Sequence, residues 1–102
     1  MSLPLFERAL ELRREMLGED HLDTLISASN LALNLSGLGE YELARRMDED
    51  TLARRRRVLG EDHPDTLTSA INLAADRRAL GQHEAACRLD EDIRRRRRAS
   101  ED

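Results

Sequence analysis

The sequence predicts an all-α solenoid of antiparallel helix pairs, with about five helices in a chain of 102 residues. Two observations carry that prediction. The stretch "LGEDHLDTL" at residues 17–25 returns as "LGEDHPDTL" at residues 59–67, so the copies start 42 residues apart. Laid without a gap, residues 17–58 match residues 59–100 at roughly 24 positions, too many for chance and at a spacing too short for two domains. Between the corners, apolar residues recur at helical spacing and glycines stand where helices must stop. Residues 3–16 align at the same period with 45–58. The chain therefore reads as one array over 1–102: the second half of a repeat (3–16), repeat 1 (17–58) and repeat 2 (59–100). That makes it a piece of a larger array.

The predicted helices are 3–17, 22–37, 40–58, 64–79 and 82–98. In the first, Leu5, Phe6, Leu10 and Leu12 offer an uncovered N-terminal apolar face. The second carries Leu25, Ala28, Leu31, Ala32, Leu35 and Leu38 as one stripe. Gly39, and Gly81 one period later, suit the left-handed conformation that closes a helix. The third helix turns Tyr41, Ala44, Met47, Thr51 and Leu52 inward and ends near Gly60. Pro64 opens the fourth, where its missing N–H costs nothing, and Asp65 complements the positive end of the helix dipole. The fifth is arginine-rich, with Asp90 at the place of Asp48 and of Phe6, so its packing is expected to be looser. No single pair buries its stripe, and stacking of successive pairs removes the leucines from water at roughly 25 cal/mol per Å². Neither end shows a polar capping helix, so concentration-dependent self-association is expected.

Composition narrows the function. With one Phe, one Tyr and no Trp, the core must be aliphatic. A formal net charge of −4 argues against nucleic acid or an anionic membrane as partner. All 17 basic residues are arginine, a hint of a GC-rich bacterial source. The lone Cys87 forms no disulfide within the chain, and no apolar run is long enough to span a bilayer, so a cytoplasmic protein is expected.

The segments "NLA…LGEYELA" (Asn30 to Ala44), "FERALELRREMLGEDH" (Phe6 to His21) and the recurring "LGEDHPDT" resemble the tetratricopeptide repeat in its 42-residue, kinesin-light-chain-like form. The Arg-rich "ARRRRVLGEDHPDTL" is similar to repeats carried by large bacterial multidomain regulators. The resemblance implies a right-handed superhelix whose first helices line a concave groove for peptides or partner proteins. It places Asn30 and Asn72 on or near that groove, with Ile26, Ser29, Leu33, Thr68, Ile71, Ala75 and Arg78 shaping it. Asparagine there can hydrogen-bond the backbone of an extended peptide, or it can simply bridge neighbouring helices.

Other residues carry less. His21 and His63, each in "EDHxDT", lie on separate corners with no second ligand at metal spacing, so a capping role is expected and no metal or cofactor. His83 stands at the Tyr41 position as an expected packing substitute. The arginine runs Arg54–Arg57 and Arg94–Arg98 each follow "DED", which sets Asp50/Arg54, Asp90/Arg94, Glu91/Arg95 and Asp92/Arg96 one turn apart. A salt-laced solvated face follows. No phosphate loop or nucleophile motif is present, so an enzyme is not expected. The reading that results is a non-catalytic protein- or peptide-binding scaffold. Its alternative is a structural spacer or self-association module, with copies paired through exposed terminal helices.

Overall fold

In the computed structural model, described for residues 3–101, five α-helices follow one another: α1 (Leu3–Leu17), α2 (Leu22–Gly37), α3 (Tyr41–Leu59), α4 (Pro64–Ala79) and α5 (His83–Glu101). Local chemistry sets these limits. At the start of α2, His21 Nδ1 accepts the N–H of Asp23 at 3.1 Å, and at the start of α4 His63 Nδ1 accepts that of Asp65 at 3.0 Å. Each histidine thus satisfies one of the four donors a helix start leaves orphaned. Pro64 occupies the first turn of α4.

Gly39 closes α2 with φ +84°. Its N–H donates to Ser36 O at 3.0 Å, and Glu40 N–H donates to Leu35 O at 2.8 Å. That is the two-bond closure which a left-handed residue permits. The same pair recurs around Gly81, where Gln82 N–H reaches Arg77 O at 2.7 Å.

Each helix packs on its chain neighbours, giving a stack two helices deep with extents of 40 × 29 × 18 Å. Two apolar clusters hold it. Leu10, Ala28, Leu31, Leu35 and Ala44 form the first, with Phe6 and Met47 against it. Leu52, Ala70, Leu73 and Ile93 form the second.

Four expectations are corrected. Leu38, assigned to the stripe, is 62% exposed because it follows the end of α2 and points past it. Tyr41 sits at the first residue of α3, largely outside the core, and His83 at the same place in α5 is exposed and lies outside both core clusters. The C-terminal end is polar: Ala86 and Ile93 are buried against α4, and among the described residues α5 exposes no large apolar side chain. The N-terminal face is only partly open: of the four residues expected on it, Leu5 and Leu12 are exposed, whereas Leu10 is buried in the first cluster and Phe6 packs against that cluster, because α2 covers their side of α1.

Among the described residues the backbones of α2 and α4 approach one another, whereas those of α1, α3 and α5 stay apart. The array therefore bends with α2 and α4 on the inside and α1, α3 and α5 splayed on the outside.

Candidate protein-binding face

The inner helices present the residues named from sequence. On α2, Ile26, Asn30 and Leu33 follow one another at i, i+4 and i+7, and all three are exposed. One period later α4 places Thr68, Asn72 and Ala75 on the same row, Asn72 half-buried and the others exposed. Ile71 is exposed beside them. Ser29 is the exception. It is buried in the helix packing and lines nothing. Thr68 donates its hydroxyl back to Pro64 O at 3.0 Å. Arg78 is spoken for by the Asp90 carboxylate at 2.5 Å. Among the described residues neither Asn30 nor Asn72 has a hydrogen-bond partner for its side-chain amide. Asn30 also borders a small crevice of about 180 Å³ against Phe6, Ala9 and Arg13.

What holds this face in shape was only half visible in the sequence. Arg54 of α3 reaches back to the preceding corner, donating to Asp20 at 2.8 Å and Glu19 at 3.1 Å while also binding Asp50 at 2.9 Å. Arg96 of α5 repeats the contact with Asp62, Glu61 and Asp92, each at 2.9 Å. The expected pairs Asp50/Arg54 and Asp92/Arg96 therefore form. Glu91 and Arg95 do not pair, and Arg94 takes the Asp90 backbone carbonyl instead of its carboxylate. Hydrogen bonds from Arg54 and Arg57 hold the Asp20 carboxyl below the usual carboxylate range. A second clasp repeats in the same way. Arg13 donates to Asp23 O at 2.9 Å, and Arg55 donates to Asp65 O at 3.3 Å and to Ser69 Oγ at 2.8 Å.

Between α3 and α4 lie two buried carboxyls, Asp48 and Asp76. The Ser36 hydroxyl donates to Asp76 Oδ1 at 3.3 Å, and no N–H or alcohol donor reaches the other, buried Asp76 oxygen, which leaves the neighbouring Asp48 carboxyl to supply a proton to this pair. Burial, then the hydrogen bond and negative charge of Asp76, push the Asp48 carboxyl well above the ordinary value; Arg55 tempers this.

A sequence profile described as the tetratricopeptide repeat matches residues 1–23, 24–65 and 66–101, nearly the whole chain. The chain belongs to the tetratricopeptide-repeat family. Its matched units begin at residues 24 and 66, again 42 apart. Tetratricopeptide repeats generally mediate contacts between proteins. A solved structure of kinesin-light-chain, nearly identical TPR-like repeats from Podosopora anserina superposes with a TM-score of 0.86 at 26% identity, over 97% of this chain and 47% of that one. This tetratricopeptide-repeat chain thus spans about half the length of that relative. No curated protein matches it. Among the described residues no helix is long and apolar enough to cross a membrane.

Proposed function

We propose that this chain is a non-catalytic scaffold, part of a larger cytoplasmic protein, that holds an extended segment of a partner protein against its concave α2–α4 face. The observation that carries this reading is the pair Asn30 and Asn72. They stand one repeat apart on the inner helices, and among the described residues neither amide has a hydrogen-bond partner. An asparagine that only bridged helices would have a partner there. Ile26, Leu33 and Ile71 supply apolar contact beside the amides, and Thr68 and Arg78 a polar edge. An extended backbone could then be bound with little demand on its sequence. Protein suits this chain better than nucleic acid as a partner, since Arg54, Arg57 and Arg96 are each neutralised by carboxylates.

Peptide-display selection on the parent chain and on an Asn30→Ala/Asn72→Ala variant of equal helicity tests the reading. Peptides enriched on the parent and lost on the variant are expected. Equal enrichment on both would remove the asparagines from the site.

The apolar face of α1 favours a second reading, self-association, since Leu5, Leu12 and Met16 are all exposed on it. Sedimentation that stays monomeric at high concentration would dismiss it.

A further inference from the structure

The backbones of the outer helices α3 and α5 stay apart, and between them a cleft of about 450 Å³ opens over α4. Its floor is apolar, with Leu52 from α3, Leu73 from α4, and Ala85 and Leu89 from α5. Its rim carries Arg56, Arg77 and Arg88 against one carboxylate, Glu49. Glu49 is already held by Arg45 at 2.6 Å and Arg77 at 2.7 Å. The other two rim cations are loosely held. Arg56 lies 3.5 Å from Glu61, and Arg88 lies 3.8 Å from Glu84, with both of the latter side chains at least three-quarters exposed. Exposed pairs of this kind contribute little and give way readily to a better partner.

The repeat itself does not dictate the cleft. One period earlier, the positions of Ala85, Leu89 and Arg77 are filled by Leu43, Met47 and Leu35. Leu35 is buried there, Met47 packs on the first core cluster, and Leu43 is half-exposed. In the second unit Ala85 and Leu89 replace longer side chains and Arg77 replaces a leucine, joining two rim arginines whose counterparts one period earlier, Arg14 and Arg46, are arginine as well.

We infer that the α3–α5 cleft is a second docking site, on the convex side, for an acidic peptide segment carrying an aliphatic side chain. The aliphatic group enters over Leu52, Leu73 and Leu89, and flanking carboxylates bind Arg56 from one wall and Arg88 from the other. A guanidinium offers a carboxylate two parallel donors, which gives the rim its preference for acid. The site is separate from the α2–α4 face and does not depend on it.

The probe is a fluorescein-labelled dodecapeptide of aspartates and glutamates with two central leucines, titrated by fluorescence anisotropy. Two companions replace the leucines by serines, or the acids by their amides. Saturable binding is expected for the first peptide and a loss of about tenfold or more for each companion. Ala85→Leu restores the residue found at Leu43 and fills the cleft; Arg56→Gln/Arg88→Gln strips the rim. Either should weaken the first peptide about tenfold or more at unchanged helicity, whereas Asn30→Ala/Asn72→Ala should leave it unaffected. No saturation by about 1 mM peptide, equal binding of the companions, or indifference to both the filled and the stripped cleft would each overturn the assignment.

Discussion

Arg54 and Asp20, 34 residues apart in the chain, meet at 2.8 Å, and Arg96 and Asp62 meet with the same separation one repeat later at 2.9 Å. The acidic pair of each "LGEDH" corner is the landing point for an arginine on the next outer helix. These side chains remain partly in water, so their attraction is screened by salt. Arg54→Ala is expected to lower Tm by a few degrees in dilute buffer and by clearly less in about 1 M NaCl, where the Debye length shrinks to about 3 Å. A thermal melt at both salt concentrations decides it, and an equal loss in each would mean that Arg54 acts through packing alone.

The apolar clusters carry the larger share of stability. Leu31→Ala and Leu73→Ala each empty a buried site on an inner helix. Each should cost about 2–5 kcal/mol by urea unfolding, the transfer loss plus the cavity left behind. Negligible losses at both would overturn the packing register.

The buried carboxyl of Asp48 predicts a pH profile. Its folded-state value is raised, so the folded chain holds the proton more tightly than the unfolded chain. The stability this confers is complete below about pH 4 and drains away as pH rises through the raised value, by at most about 1.4 kcal/mol per pH unit for one proton. Between pH 5 and pH 9, conditions chosen at about those values to bracket the window, the urea midpoint of the parent should fall while that of Asp48→Asn stays flatter. Parallel profiles would show that the Asp48–Asp76 pair tolerates its charge.

Capping by His63 gives a smaller but local effect. His63→Ala removes the acceptor for the Asp65 N–H and should cost about 0.5–2 kcal/mol, and His63→Asn should recover most of it. Amide exchange at Asp65 and Thr66 would localise the change to the first turn of α4.

Helix number, order and approximate limits were legible because period and punctuation agree: Leu25 to Leu35 on one stripe, glycine at the stop, proline at the start. Asn30, Ile26 and Leu33 came from the family resemblance and not from periodicity, and all three are exposed along one row of α2. Ser29 was misplaced because neighbouring helices close over its side of α2, and a single-helix pattern does not see neighbours. Leu38 and Tyr41 were misplaced at helix ends, where a periodic stripe continues on paper after the helix has stopped. The Asp48–Asp76 pair gave no signal beyond an aspartate at an apolar position, since its partner comes from the next helix. The Arg54 and Arg96 clasps did leave a trace, in acids and arginines repeating at one period. Only the bend of the chain brings the two sets together.

The unequal spacing of the inner and outer helices gives the array a mechanical character. Its inner edge is a pivot of close helix approach, and its outer edge is tied to the corners by ion pairs that remain partly in water. Such an object flexes like a leaf spring clamped along one edge, with its stiffness set by the solvent. Raising the salt slackens the outer edge first, so the curl should tighten and the concave face narrow. A small-angle scattering series against ionic strength would read that change directly as a shrinking radius of gyration from its 13.8 Å in the folded chain.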